Sequence, residues 1–176
     1  MNLPEISGLI IYLLPAANPG QHYSGIIKKL AHRYQSYPFI PHITISRVPD
    51  WEKDQLKKAV DDVAAAVPAF DLPVKAVHCG DHPYQKITIE VQKTEDLKII
   101  SDELDDVFGG AFSKREYPHL SLHYSTRPCD DFTEELEKLE SELVSPIEID
   151  KLALVELTGT PDRWQVIYSR KLAGDS

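Results

Sequence analysis

The sequence PHITIS at residues 41–46 recurs as PHLSLH at residues 118–123. Both stretches contain a proline, a histidine, an aliphatic residue, a hydroxyl residue and a second aliphatic residue, in that order. Because side chains alternate between the two faces of a β-strand, the histidine and the hydroxyl residue of each stretch point to the same side. The pairs are His42 with Thr44 and His119 with Ser121. Each stretch therefore predicts a strand that presents one imidazole and one hydroxyl group to a common surface.

These two pairs predict one catalytic centre made of two halves. An imidazole with its ordinary pKa of about 6.5 accepts or releases a proton near neutral pH, and a hydroxyl group can hydrogen-bond a phosphate oxygen. Two such pairs that face each other supply a base, an acid and two groups that hold oxygen atoms. Those groups suffice to open a cyclic phosphodiester, so we expect neither a metal ion nor a cofactor.

The predicted elements around the motifs are also duplicated. A strand, a helix, a motif strand and a second helix are predicted over residues 8–68 and again over residues 84–146. The two motif histidines are 119 − 42 = 77 residues apart. Such a repeat predicts one domain over residues 1–176, built from two pseudo-symmetric α+β lobes. We expect antiparallel sheets flanked by helices, with the motif strands lining a central cleft.

The other elements are predicted from apolar periodicity and from turn and capping residues. We expect strands over residues 8–14, 40–47, 72–78, 87–91, 117–124, 147–157 and 164–172. We expect helices after the turn Asn18-Pro19-Gly20, from a cap at Asp50 to Val67, from Thr94 to Gly109-Gly110, and from Asp130 or Asp131 to Pro146. A break of alternation at Lys151-Leu152 predicts a bulge.

Composition and charge restrict the partners. The chain has 176 residues, 42% of them hydrophobic, and a formal net charge of −9, which opposes binding to a long nucleic acid. The basic residues Arg47 and Lys114-Arg115 could hold a small phosphorylated ligand, but solvated surface charge is the simpler interpretation. Cys79 and Cys129 are too few for a disulfide framework and are interpreted as free thiols. Without a long apolar run, we expect a soluble cytoplasmic monomer; an association with endomembranes stays open.

The paired motifs resemble those of the two-histidine (2H) phosphoesterase superfamily, and within it the small cyclic phosphodiesterases of fungi and plants. Members of that group typically carry Pro-His-Val-Thr-Val and Pro-His-Leu/Val-Ser-Leu-Leu-Tyr, which residues 41–45 and 118–124 resemble, as residues 79–87 resemble the hairpin of the group. The resemblance implies hydrolysis of ADP-ribose 1″,2″-cyclic phosphate, a by-product of tRNA splicing, to ADP-ribose 1″-phosphate. It also implies opening of nucleoside 2′,3′-cyclic phosphates to nucleoside 2′-phosphates.

The same resemblance implies the roles of individual residues. His42 and His119 would be the acid and base, Thr44 and Ser121 would bind nonbridging phosphate oxygens, and Tyr124 would contact the phosphate. Strand alternation puts Tyr124 on the opposite side from His119, so this contact requires the backbone to turn. We assign His119 as the base and His42 as the acid, with the reverse open.

Several other residues could contribute to the site. His123 replaces a leucine of the family pattern and shares its alternation with His119, so it could add a third imidazole or turn outward. Tyr84 is the best candidate for stacking on a nucleotide base, whereas we expect Trp164 to pack in the core and leave Trp51 open. His78, Cys79 and His82 resemble zinc ligands, but no fourth ligand is evident and a turn is the simpler interpretation.

Two alternative functions stay open. The first is processing of RNA ends, by 2′-5′ ligation and hydrolysis or by 3′ trimming, which the acidic charge disfavours. The second is a nucleotide-binding module without turnover, which the presence of both histidines and both hydroxyl residues disfavours.

Overall fold

The computed structural model describes residues 3–109 and 117–174. Its strands are β1 (Ile6–Pro15), β2 (Ile43–Arg47), β3 (Phe70–Leu72), β4 (Val74–Cys79), β5 (Ile87–Val91), β6 (His119–His123), β7 (Ile147–Gly159) and β8 (Gln165–Lys171). Its helices are α1 (Ala17–Arg33), α2 (Lys53–Ala66), α3 (Glu95–Val107) and α4 (Thr133–Glu142). Within these described ranges, no helix has the length and apolar character needed to span a bilayer.

The strands form one antiparallel sheet in the order β3-β7-β1-β2-β6-β5-β4, with β8 also paired to β7. Strands β1, β2, β3, β7 and β8 make up one lobe, and β4, β5 and β6 make up the other. The lobes join where β2 meets β6, in a short pairing of Ile43 with Leu120. The predicted α+β class with antiparallel sheets and flanking helices is confirmed, and the two predicted sheets are continuous at their inner edges.

The sheet separates two apolar clusters. Strand β1 contributes Ile11 and Leu13 to the large cluster, in which the buried faces of the helices also lie. It contributes Ile10 and Tyr12 to a smaller cluster on its other face. Because β1 is buried on both faces, its sequence is a continuous apolar run rather than an alternation.

Two helix starts differ from the prediction. Asn18-Pro19-Gly20 forms the first turn of α1 instead of a separate turn, because the backbone nitrogen of an early helical residue needs no intrahelical partner and proline is tolerated there. Helix α2 is capped at Glu52 rather than Asp50, and the Glu52 N–H donates to Gln55 Oε1 at 3.2 Å. The predicted cap at Thr94 is confirmed, since its Oγ1 accepts from the Leu97 N–H at 3.2 Å.

Three further boundaries of the predicted elements differ from the structure or lie outside it. A short 3₁₀ helix over residues 129–132 precedes α4, so the regular helix starts later than Asp130 or Asp131. The pairing of β7 with β1 skips Asp150, which places the bulge one residue before the predicted Lys151-Leu152. Gly110, which the sequence predicts as part of the stop of α3, lies outside the described residues.

Cys79 and Cys129 form a disulfide, so their interpretation as free thiols is wrong. Cys79 ends β4 and pairs with Ile87 of β5, which in turn pairs with His123 of β6, six residues before Cys129. The sheet thus brings together two cysteines separated by 50 residues, with their Cα atoms 5.8 Å apart. No local sequence motif records a contact of this kind.

Reduction of this disulfide is expected to lower the free energy of unfolding by about 2–4 kcal/mol, because the bridge restricts the unfolded chain over a long loop. Urea denaturation with and without reductant measures the difference. The Cys79→Ser, Cys129→Ser double variant serves as the control and should match the reduced protein under both conditions. An unchanged denaturation midpoint on reduction would contradict this stabilising role.

Candidate active site

The pairing of β2 with β6 brings the four motif residues together on one face of the sheet. Ile43 lies opposite Leu120, and both side chains are buried in the large cluster. One residue to either side, the same antiparallel register places His42 opposite Ser121 and Thr44 opposite His119. These four side chains therefore point away from the large cluster, and each imidazole faces the hydroxyl residue of the other strand.

The two imidazoles are diagonal neighbours across this strand pair. The backbone positions of diagonal neighbours in an antiparallel pair lie about 7–8 Å apart. His42, Thr44, His119 and Ser121 all line the same cleft, which has a volume of about 530 Å³. The arrangement has local twofold symmetry about the pair of Ile43 and Leu120.

A bulge follows each motif at the equivalent position. The pairing of β1 with β2 skips Ile45, and the pairing of β5 with β6 skips Leu122. Each skip shifts the alternation by one residue, so that the second residue after the bulge returns to the cleft face. Arg47 and Tyr124 are those residues, and both line the cleft. The bulge provides the turn that Tyr124 requires.

The same bulge removes His123 from the cleft. His123 pairs with Ile87, whose side chain is in the large cluster, and is itself only 1% exposed. Its Nδ1 lies 3.2 Å from Ser36 Oγ, and the rings of Tyr34 and Phe132 lie 5.2 and 5.5 Å from its ring. The expectation that His123 could contact substrate is therefore wrong, because strict alternation does not hold across the skipped residue.

Backbone carbonyl groups orient both motif histidines in the same way. Nδ1 of His42 lies 2.7 Å from the carbonyl oxygen of Ile40, and Nδ1 of His119 lies 2.9 Å from that of Tyr117. A carbonyl oxygen can only accept, so in each ring Nδ1 carries the hydrogen. In the neutral ring, Nε2 is then the atom that takes up a proton from a reacting group.

The surroundings of the two histidines differ. His42 is 4% exposed, and the ring of Tyr12 stacks on it with centroids 3.6 Å apart and planes 9° from parallel. The ring of Phe39 approaches His42 edge-on at 6.0 Å. His119 is only partly buried at the start of β6. The stacked ring of Tyr12 therefore holds the His42 imidazole in one orientation.

Tyr84 lies in the wall of the cleft, between the motif strands and the first described residues of the chain. Its hydroxyl group donates to the carbonyl oxygen of Pro4, and its own carbonyl oxygen accepts from Ser121 Oγ at 3.3 Å. Burial, together with the negative charge of Glu5, raises the pKa of Tyr84, so its phenol stays neutral at physiological pH. The ring of Tyr84 lies 5.2 Å from that of Tyr124.

Trp164 is partly buried against the smaller cluster, as the core interpretation expects, but it also lines the cleft. Its ring lies 5.7 Å from that of Tyr84 and packs beside the smaller cluster. The pairing of β7 with β8 skips Ile167, so the alternation on which the core interpretation rested is broken. Val166 is accordingly 42% exposed. Trp51 packs against Phe108 and does not line the cleft.

The structure also locates the basic residues and the candidate metal ligands that were identified in the sequence. Arg47 is exposed, and it lines the cleft instead of an unrelated surface. In the sequence, Arg47 occupies the position of the repeat that corresponds to Tyr124, and this correspondence could have predicted its place in the cleft. Lys114 and Arg115 lie outside the described residues.

The candidate zinc ligands, which all lie within the described residues, do not form a metal site. His78 Nε2 lies 2.9 Å from Glu90 Oε2, while Cys79 is in the disulfide. Over residues 3–109 and 117–174, no three potential ligands converge as a metal site would require.

Comparisons with known proteins give a family model that matches this chain and a relative that it resembles. A family model described as the 2′-5′ RNA ligase superfamily matches residues 15–161. A cyclic phosphodiesterase of Arabidopsis thaliana is 22% identical over 128 residues, which cover 73% of this chain and 68% of that protein.

Solved structures share the fold at low sequence identity. The protein TT0787 of Thermus thermophilus superimposes with a TM-score of 0.59 at 12% identity, over 97% of this chain and 100% of that chain. LigT of E. coli in its apo form superimposes with a TM-score of 0.54 at 15% identity, over 97% of this chain and 99% of that chain. At these identities the likeness shows a common fold.

The buried His123 makes the stability of the protein sensitive to acid. Burial, and secondarily the positive charge of Arg127, lowers the pKa of His123 from 6.5 to about 4. The unfolded chain then binds the proton more tightly than the folded chain, so stability is lost as the pH falls from about 6.5 toward 4. Between pH 7 and pH 5 this group should account for a loss of about 2 kcal/mol.

Urea denaturation of the wild type and of His123→Leu at pH 5, 6 and 7 isolates this contribution, because the other titrating groups are common to both. The wild type should lose more stability than the variant toward pH 5. Parallel pH dependences would rule out a depressed pKa at this position.

Proposed function

Because this chain belongs to the 2′-5′ RNA ligase superfamily, the family of the 2H phosphoesterases, we propose that it is a cyclic phosphodiesterase that hydrolyses small cyclic phosphodiesters. The proposed substrates are ADP-ribose 1″,2″-cyclic phosphate, a by-product of tRNA splicing, and nucleoside 2′,3′-cyclic phosphates. The products would be ADP-ribose 1″-phosphate and nucleoside 2′-phosphates. The observation that carries the proposal is the convergence of His42, Thr44, His119 and Ser121 on one cleft through the β2–β6 register.

The reaction needs a base and an acid on opposite sides of the phosphorus atom. Water attacks the phosphorus in line with the departing ribose oxygen; one histidine accepts the proton of the water, and the other donates a proton to the ribose oxygen as its bond to phosphorus breaks. Two histidines at diagonal positions on adjacent strands, both lining one cleft, can flank a phosphate in this way.

The unequal surroundings of the two rings support a particular assignment. His42 is buried and fixed in orientation by the stacked ring of Tyr12, and it is proposed as the acid that protonates the leaving oxygen. His119 is the more exposed ring, where water has access, and is proposed as the base. In each neutral ring the hydrogen is on Nδ1, so Nε2 is the atom that transfers the proton.

Four other side chains are proposed to bind the phosphate. Thr44 and Ser121 would donate hydrogen bonds to the nonbridging oxygens, with Ser121 exchanging its contact to the Tyr84 carbonyl for the phosphate. Tyr124 and Arg47, which the two bulges direct to the cleft, would add a hydroxyl donor and a positive charge. Donors fixed before the reaction stabilise negative charge as it develops in the transition state.

The aromatic wall is proposed to hold the nucleoside. The rings of Tyr84 and Trp164 offer apolar faces beside the phosphate site, and a base could stack there without strong preference for its identity. We also predict from the sequence that the substrate is a small molecule, that the protein is a monomer and that it is cytoplasmic.

Replacement of either histidine by alanine is expected to lower kcat by about 100-fold to 10,000-fold, because each variant loses one proton transfer. Hydrolysis of 2′,3′-cyclic AMP in the presence of EDTA measures this, and phosphorus NMR identifies the 2′-phosphate product. His32→Ala is the matched control, since His32 is exposed on α1 and does not line the cleft.

Other outcomes of the same assay would select the alternatives. Binding of the cyclic nucleotide without turnover by the wild type would indicate a binding module. A strong preference for a short RNA that ends in a cyclic phosphate would indicate RNA end processing.

The pH dependence of kcat/KM is expected to be bell-shaped, because one imidazole must be neutral and the other protonated. If His42 is the acid, the residual activity of His42→Ala should no longer decline at alkaline pH. If His119 is the base, that of His119→Ala should no longer decline at acidic pH. Exchange of these two effects would reverse the roles.

A further inference from the structure

A second cavity adjoins the active-site cleft. It has a volume of about 320 Å³ and lies between α1, the segment over residues 38–40 and the turn over residues 161–162. Tyr12, His42 and Trp164 line both cavities and so form the border between them. A ligand that reaches this border from the cleft can therefore continue into the second cavity.

Apart from His42 at the border, the second cavity has polar side chains that the proposed reaction does not use. Lys28 and Ser24 project from α1, and Asp162 lies in the turn before Trp164. Among the residues that the structure describes, Lys28 has no carboxylate partner within ion-pair distance, although Asp162 lines the same cavity. A cation without a protein counterion, beside a cavity, is suited to an anionic group of a ligand.

The proposed chemistry fixes where a substrate would cross the border. The acid His42 must lie against the ribose oxygen that leaves, so the ribose that carries the cyclic phosphate sits beside the border. In a substrate that carries a diphosphate and a second nucleoside on that ribose, the extension starts where the second cavity opens. A cyclic mononucleotide has no such extension and is contained by the first cleft.

We infer that the second cavity binds the nucleoside diphosphate portion of a two-part substrate, with Lys28 on the diphosphate. This inference rests on the proposed function and assigns the substrate class of the same site. Beyond the border histidine, Lys28 is the sole basic side chain among the described residues that line the cavity, and Asp162 adds a negative charge. The single lysine can contact one diphosphate, whereas the repeated phosphates of RNA need several cations, and the carboxylate of Asp162 opposes both.

The test compares two substrates with the full-length protein. For Lys28→Ala, the ratio of kcat/KM for ADP-ribose 1″,2″-cyclic phosphate to kcat/KM for 2′,3′-cyclic AMP is expected to fall about tenfold, as for loss of one charge-assisted contact. The change should appear in KM and not in kcat, and it should diminish at high salt. Lys29→Ala is the matched control, because Lys29 is the neighbouring exposed lysine of α1 and lines neither cavity.

An unchanged ratio in Lys28→Ala, or an equal fall in Lys29→Ala, would overturn the inference. In Lys28→Ala, a fall in kcat/KM for a short RNA that ends in a cyclic phosphate, with no fall for ADP-ribose 1″,2″-cyclic phosphate, would also overturn the inference. That result would favour RNA as the ligand of the second cavity.

Calorimetric titration with ADP-ribose separates this inference from the proposed function, because it needs no turnover. Weaker binding of ADP-ribose by Lys28→Ala than by the wild type and Lys29→Ala would support the cavity even if neither cyclic phosphate were hydrolysed. Equal binding by all three proteins would reject it.

Discussion

The antiparallel pairing of Ile43 with Leu120 is the contact on which the site depends. This pair is buried on the helix-covered face, and its register sets which residues flank it on the other face. A shift of the register by one residue would turn the imidazoles into the core and the aliphatic side chains into the cleft. The burial of two aliphatic side chains thus positions two histidines that belong to different lobes.

The two bulges make a symmetrical frame chemically asymmetric. Both skip the equivalent residue of the repeat, yet one directs Arg47 to the cleft and the other directs Tyr124 there. Tyr12 stacks on His42, while His119 stays partly exposed. The two histidines therefore differ in their surroundings before any substrate binds.

Much of the fold and the centre of the site could be predicted from the sequence, because apolar periodicity and strand alternation are local properties. The errors occur where a non-local contact or a skipped residue decides the outcome. His123 was misplaced because a bulge reverses alternation without changing the apolar pattern around it. The disulfide joins residues 50 positions apart, and only the assembled sheet brings them together.

The acceptors that orient His42 and His119 belong to the main chain, at residues 40 and 117. Pro41 and Pro118 follow these residues and restrict their backbone to extended conformations, which helps to hold each carbonyl group in place. Every amino acid has a carbonyl oxygen, so the side chains at these two positions can drift during evolution while the orienting contact is kept. Relatives with different residues there would retain the same carbonyl contact and the same tautomer.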